Sequence, residues 1–293
     1  AGQLNQGSDS VAIGDYAGAN NQGNGSVGVG VNAGATYQGD SSVAVGSGAG
    51  EWGQGETTVA IGADSGRYYQ GLGAVAVGHL AGNTSQGFYA TAVGKEAGQT
   101  SQSYGAVAVG NYAGNDTQGD SAVAIGYHTA YNLQGANSVS IGISAGQNQQ
   151  GSDSVAIGPS AGLHYQGGYS VAIGREAAQT NQGNNSIAIG NQAGFTNQPA
   201  NSIITLGKVG VGVTNPGQPL EVAGGIAGKK AYQHFIFKPN AFGIYMANDL
   251  APEMDRDILH RETVVSATMW YGVLSLHGKV SADDKRIIKG AFV

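Results

Sequence analysis

Apolar and polar residues alternate in short blocks that recur along the first two thirds of the chain. The first block, Ser10-Val11-Ala12-Ile13, places Val11 and Ile13 on one side of an extended chain and Ser10 and Ala12 on the other. This alternation of β-branched and small residues predicts a strand. A glycine closes each block at intervals of sixteen residues, without insertion or deletion: Gly14, Gly30, Gly46, Gly62, Gly78, Gly94, Gly110, Gly126, Gly142, Gly158, Gly174 and Gly190.

The constant repeat length predicts a solenoid. Loops on ordinary folds tolerate insertions, whereas a coil stacked on identical coils must keep its neighbours in register. Sixteen residues are too few for two helices, and glycine opposes helix formation. The predicted fold class is all-β: a single-chain parallel β-solenoid or β-roll with one strand per sixteen-residue coil. At a strand spacing of about 4.8 Å, about twelve coils would form a rod about 60 Å long.

The two faces of the repeated strand differ in side-chain size. The Val11 and Ile13 face is predicted to fill the interior of the coil. The opposite face carries Ala12 and its copies, which are all alanine except Gly28 and Ser140. Such a uniformly small face predicts close approach of sister chains and therefore an oligomer; a monomeric solenoid is the alternative.

Two further columns recur in the same phase. Gln-Gly runs from Gln6-Gly7 to Gln182-Gly183, and Ala-Gly runs from Ala17-Gly18 to Ala193-Gly194. Identical amides above one another predict a glutamine ladder, as in cross-β stacks. Ala1-Gly2 lies in phase with the Ala-Gly column, so the chain is expected to begin inside a coil of a longer protein.

Three copies of the block point to a known family. Asn137–Gly142, Asp153–Gly158 and Asn185–Gly190 resemble the head repeat of YadA-like trimeric autotransporter adhesins, which also occurs in fibres of bacteriophages and large algal viruses. The resemblance covers about residues 1–206. It implies a left-handed parallel β-roll, of which three associate side by side as a homotrimer.

The predicted organisation is a repeat domain at 1–206, a connector at 207–228 and a small, mainly β, tip-proximal domain at 229–293. Val209–Gly224 resembles the connector of phage and viral fibres. Ser281–Lys289 is similar to the opening of the self-cleaving chaperone of phage tail-spikes, although Ala282 stands where that family's cleavage junction needs Asp. In the last domain the sequence predicts strands at 232–238, 243–246 and 263–276, and a helix at 252–261 that has proline in its first turn.

Charge and composition exclude several functions. Residues 1–198 carry three Lys and Arg against eleven Asp and Glu. This region therefore has too few cationic side chains to bind the phosphate backbone of a nucleic acid. No apolar run reaches eighteen residues, so membrane insertion is not expected. Cysteine is absent, the six histidines lack ligand spacing and no phosphate-binding loop is present, so neither a metal nor a cofactor is expected.

Two carboxylates are a candidate catalytic pair. Asp40 and Glu56 share a column on adjacent coils, about 5 Å apart, which is the spacing of a retaining glycosidase, and Glu51 lies on the intervening loop. Two such groups could equally hold a cation. We expect that the protein is not an enzyme.

Aromatic residues in the loop after Ala-Gly provide the candidate ligand site. Tyr37, Trp52, Tyr68 and Tyr69 fall on three consecutive coils and predict an aromatic strip that packs against sugar rings. On this hypothesis Trp52→Ala weakens glycan or cell-surface binding. The alternative is that the rings cover glycine-rich backbone and lean on one another.

The sequence therefore predicts a structural and adhesive trimeric fibre protein, either a phage or viral tail or capsid fibre, that mediates attachment to a host surface. The alternatives are the head of a trimeric bacterial autotransporter adhesin and a polysaccharide depolymerase fibre. The expected partners are two further copies of the chain, a host glycan or protein receptor, and other virion or fibre proteins. The expected location is extracellular, on a virion or a bacterial surface.

Overall fold

The structure is a computed structural model of the 293-residue chain. It describes residues 1–206 and, beyond them, the backbone of short strands at 209–211, 220–222, 263–264, 267–269, 272–274 and 279–280. The chain divides into two compact units, Ala1–Val209 and Gly210–Val293.

Each coil of the first unit contributes a strand to a continuous parallel sheet, here called the valine sheet. Its thirteen strands hydrogen-bond in sequence order. They are Val11–Ile13, Val27–Val29, Val43–Val45, Val59–Ile61, Val75–Val77, Thr91–Val93, Val107–Val109, Val123–Ile125, Val139–Ile141, Val155–Ile157, Val171–Ile173, Ile187–Ile189 and Ile203–Thr205.

A second strand in nearly every coil ends on the repeated glutamine and builds the glutamine sheet. This sheet has a seven-stranded part and a five-stranded part. The first part comprises Leu4–Gln6, Asn20–Gln22, Thr36–Gln38, Trp52–Gln54, Tyr68–Gln70, Thr84–Gln86 and Thr100–Gln102, and the second Asn132–Gln134, Asn148–Gln150, His164–Gln166, Thr180–Gln182 and Thr196–Gln198.

Neighbouring strands pair sixteen residues apart throughout. Ala76 pairs with Ala92 in the valine sheet, and Gln86 pairs with Gln102 in the glutamine sheet. The predicted parallel solenoid with in-register coils is confirmed. The prediction of one strand per coil is wrong, because the second strand has no alternation to reveal it.

Side chains do not alternate between the two faces along the glutamine-sheet strands, because the middle residue of each strand adopts the left-handed backbone conformation. That residue has φ between 52° and 67° in every strand of this sheet: Asn5, Asn21, Tyr37, Gly53, Tyr69, Ser85, Ser101, Leu133, Gln149, Tyr165, Asn181 and Asn197. The equivalent residue of the eighth coil is Thr117, which has no positive φ and lies outside any strand. A β-branched residue disfavours this conformation, which accounts for the division of the sheet. The two parts of the sheet are still connected by single parallel β-bridges, one from Gln102 to Gln118 and one from Gln118 to Gln134.

The interior between the two sheets is filled by small residues. Ala92 of the valine sheet and Ala97 of the Ala-Gly turn are completely buried and belong to one alanine cluster that spans several coils. Serines such as Ser26 are also completely buried, with the hydroxyl donating to the Gly23 carbonyl at 2.7 Å.

Val11, Ile13 and their copies point out of the coil, where they are half-buried or exposed. The prediction that they fill the interior, and that Ala12 and its copies face sister chains, is therefore wrong. Alternation shows only which residues share a face. The interior is narrow because the glutamine sheet lies directly behind the valine sheet, so the inward position is alanine, glycine or serine as far as Ala188. In the last strand Ile204 takes this position and packs against the end of an alanine cluster.

The repeated glycines allow the coils to stack. Gly94 has φ +131°, and a Cβ at this position would lie 2.5 Å from the carbonyl oxygen of Gly110 on the next coil. The positions Gly14 to Gly174 have the same geometry toward the next glycine of the column, with φ between 121° and 135°. Glycine is required here for both its backbone conformation and its small volume.

The predicted glutamine ladder is confirmed. The buried Nε2 of Gln86 donates to the side-chain oxygen of Gln102 at 3.1 Å and to the carbonyl oxygen of Val75 at 2.8 Å. Equivalent side-chain bonds run from Gln54 to Gln150 and again from Gln182 to Gln198. Each amide thus joins the two sheets within the coil and, along these runs, one coil to the next.

The second unit is described only in part. Val209–Val211 and Leu220–Val222 form a two-stranded sheet. Thr263–Val264 pairs antiparallel with Lys279–Val280, and Ala267–Met269 with Gly272–Leu274. The helix predicted at 252–261 and the strands predicted at 232–238 and 243–246 lie outside the described residues, as do most of the connector and the segment 281–289. In the parts of the chain that the structure describes, no helix has the length and apolar character needed to cross a bilayer.

Candidate functional site

The outer side of the valine sheet is a continuous apolar face. Its two outward columns, which start at Val11 and Ile13, contain only valine and isoleucine except for Thr91 and Thr205. Ile13 is 59% exposed. Monomeric soluble proteins rarely expose an apolar patch that continues over so many strands, so this face is a candidate interface.

The four aromatic residues of the predicted strip lie in two columns of the glutamine sheet. Trp52 and Tyr68 are register partners on adjacent coils. The guanidinium of Arg67 lies 5.0 Å from the centre of the Tyr68 ring.

Tyr37 and Tyr69 lie in the next column, with Gly53 between them. The ring of Tyr69 leans over Gly53, where a Cβ would lie 3.2 Å from its Cδ1 atom. Tyr37 and Tyr69 are therefore two coils apart.

Tyr69 instead forms an open groove with aromatic residues that the sequence analysis did not select. The groove has a volume of about 470 Å³. Its lining residues are Gly53, Tyr69, Gln70, Gly71, Ser85, Gln86, Gly87, Phe88 and Tyr104. Phe88 follows Gln86-Gly87, and Tyr104 follows Gln102-Ser103 of the same column, whereas the predicted strip lies after Ala-Gly. The signal in the sequence was the succession Leu72, Phe88 and Tyr104 in one column of three consecutive coils.

A second aromatic cluster surrounds His128. Its ring stacks on Tyr131 at 4.8 Å and 14°, and lies 4.8 Å from Tyr112 and 4.6 Å from Tyr127. Lys95 Nζ donates to the Tyr112 hydroxyl at 3.1 Å, and this hydrogen bond, together with Glu96, raises the pKa of Lys95. The rings of this cluster therefore contact one another, and Lys95 contacts Tyr112.

Two of the three acidic residues predicted near one another, Asp40 and Glu51, bind neighbouring groups of the solenoid. Asp40 Oδ1 accepts the backbone N–H of Asn24 at 2.8 Å. Glu51 accepts from Arg67 Nε at 2.6 Å. Burial tends to lower the pKa of Arg67, but the hydrogen bond and charge of Glu51 outweigh it, so the pKa lies above its ordinary value. Within the described residues, no group of three or more His, Asp or Glu side chains is placed to hold a metal ion.

The first unit is thus a parallel β-solenoid, with an apolar outer face on the valine sheet and aromatic side chains on the glutamine sheet. The sequence model of the YadA head domain repeat matches this chain in two copies, at residues 22–49 and 166–193. The solenoid is thus built from YadA-like head repeats, the repeat of surface-exposed, extracellular, adhesin-like fibres. Searches of curated proteins and of solved structures gave no match.

Proposed function

We propose that this chain forms part of a homotrimeric surface fibre that attaches to a host surface. The observation that carries the proposal is the apolar outer face of the valine sheet. Three copies that turn this face toward a common axis would remove its aliphatic side chains from water and leave each glutamine sheet exposed.

The energy of burial favours association. Covering a partly exposed valine or isoleucine contributes on the order of 0.5–1 kcal/mol. Eleven of the thirteen strands offer two such positions and the other two strands offer one, so the total exceeds the several kcal/mol that association costs in lost freedom. The trimer, rather than another closed arrangement, comes from the likeness to YadA-like heads.

The proposed role is attachment rather than catalysis. A rigid rod with exposed aromatic side chains suits binding to a glycan or protein receptor on a host. The similarity of Val209–Gly224 to phage and viral connectors favours a tail or capsid fibre on a virion, with other fibre proteins as neighbours, over a bacterial adhesin head. Incubation of the purified protein with surface polysaccharides should release no reducing ends; such release would support the depolymerase alternative.

Sedimentation equilibrium tests the interface. Val77→Glu places a charge in the middle of the apolar face, and we expect it to convert a trimer into monomers because a buried, unpaired carboxylate is costly. Ser101→Glu is the matched control, since it adds the same charge to the exposed side of the glutamine sheet.

Circular dichroism of both variants would establish that the coils remain folded. A wild-type chain that sediments as a monomer, or a Val77→Glu variant that remains a trimer, would contradict the proposed assembly.

A further inference from the structure

The aromatic groove has aromatic side chains on two sides, and these side chains come from three consecutive coils. Tyr69 stands on the glutamine-sheet side, and Phe88 and Tyr104 stand on the turn that follows this sheet. Gly71 and Gly87 lie between them in the chain and bring no side chains into the groove. Tyr69 is 70% exposed and Phe88 58% exposed, so the ring surfaces are open to solvent.

Tyr104 is held in place by its neighbours. Tyr89 contacts Tyr104 edge to face, with centroids 5.9 Å apart and an interplanar angle of 84°. The backbone N–H of Tyr104 donates to Asp120 Oδ1 at 3.2 Å. A wall fixed in this way loses little conformational entropy when a ligand binds.

The groove also offers polar groups to a ligand. In several coils the residue after Gln-Gly donates its N–H to an Asn or Asp one coil further on, as Asn24 does to Asp40. The equivalent residue above Phe88 is Tyr104, which has no amide or carboxylate, so the Phe88 N–H has no side-chain acceptor of this kind. The Ser85 hydroxyl and the Phe88 N–H can therefore serve ligand hydroxyls.

The charges near the groove select for a neutral ligand. None of the lining residues is charged. In the column that contains Phe88 and Tyr104, Glu56 precedes the apolar stretch that begins at Leu72, and Asp120 follows it. Acidic groups at both ends repel a polyanion, whereas an uncharged ligand meets no such penalty.

We propose that this groove binds a neutral glycan that lies along the solenoid axis. Aromatic rings pack against the apolar faces of pyranose rings, and groups such as Ser85 take up the hydroxyls. The coil spacing of about 4.8 Å is close to the length of one unit in an extended glycan, so Phe88 and Tyr104 would meet successive sugars. The inference rests on the proposed attachment function and names its ligand class.

The groove stays open in the proposed trimer. Its residues come from the glutamine sheet and the turn after it, whereas the apolar face lies on the other sheet. Trimerisation and glycan binding can therefore be measured independently.

Isothermal titration of the full chain with cellohexaose, chitohexaose and maltohexaose tests the proposal, with heparin as the polyanionic comparison. We expect at least one neutral hexasaccharide to bind and heparin not to bind at this groove. Tyr69→Ser and Phe88→Ser should each weaken binding about tenfold or more. Serine already occupies the same columns, at Ser85 and Ser8, so both variants should fold.

Tyr165→Ser is the matched control. Tyr165 lies in the column of Tyr69, with φ +57° and similar exposure, but beside asparagines instead of a second aromatic wall. Unchanged affinity in this control supports the groove.

Failure of all three hexasaccharides to bind, equal losses in the Tyr69 and Tyr165 variants, or binding of a proline-rich peptide instead of a sugar would overturn the inference. A trimer that attaches to host surfaces but is insensitive to Tyr69→Ser would overturn it while leaving the proposed fibre function intact.

Discussion

Gln102 donates its buried side-chain amide to the side-chain oxygen of Gln118 at 3.0 Å and accepts the equivalent bond from Gln86 at 3.1 Å. The same Nε2 reaches the carbonyl oxygen of Thr91 at 2.8 Å. One polar side chain therefore links three coils and both sheets in an interior lined mainly by alanine, serine and the other glutamines of the column. Its hydrogen bonds have no substitute from water, because the residue is only 1% exposed.

Removal of this amide should destabilise the solenoid. Gln102→Leu leaves the buried partners of the amide unsatisfied, and we expect it to lower the free energy of unfolding by about 1–3 kcal/mol. The measurement is the urea midpoint followed by circular dichroism. Gln149→Leu is the control, because Gln149 is exposed and Leu133 occupies the same column on the previous coil. Equal midpoints for the two variants would disprove the role of the ladder.

Gly94→Ala should prevent correct stacking. Its Cβ would approach the Gly110 carbonyl oxygen to 2.5 Å, and the backbone there cannot move without disturbing the next coil. We expect loss of soluble protein or a fall of several degrees in the melting temperature. Gly25→Ala is the control: Gly25 also has positive φ, but its Cβ would find only Ser41 Oγ, at 4.0 Å. A Gly94 variant as stable as the Gly25 variant would contradict the steric account.

The orientation of the valine sheet can be tested by adding methyl groups on each side. Ala92→Val enlarges a completely buried residue, and we expect it to cost about 1–3 kcal/mol by overpacking. Thr91→Val changes an outward position to the residue found at most equivalent sites and should leave monomer stability nearly unchanged. Chemical denaturation of both variants measures the difference, and the reverse order of stability would place the aliphatic face inside.

The aromatic strip can be separated from the groove by a substitution at Trp52. Trp52→Thr introduces the residue found in its column at Thr36 and Thr84. Because Trp52 does not line the groove, we expect a smaller loss of hexasaccharide affinity than for Tyr69→Ser. The same titration measures both. A larger loss for the Trp52 variant would place the main contact on the Trp52 and Tyr68 column.

The sequence by itself determined the repeat architecture. A sixteen-residue period without a single insertion requires coils in register, and glycine in one column, as at Gly94, permits the backbone of one coil to approach the next. Identical residues at every level, such as Gln86 and Gln102, must then lie above one another. These conclusions need only the period and the stereochemistry of the residues.

The tertiary structure decided which side of each coil is inside and which surface residues meet. The alternation at Ala92 and Val93 is equally compatible with either face inward, because it carries no information on the distance to a second sheet. The distance between the two sheets is set by the strands of the glutamine sheet, whose middle residues adopt the left-handed conformation and whose sequences show no apolar-polar alternation. Tyr69 and Phe88 lie nineteen residues apart in unrelated columns, and they share a groove only because the turn between the sheets brings adjacent coils together at this edge.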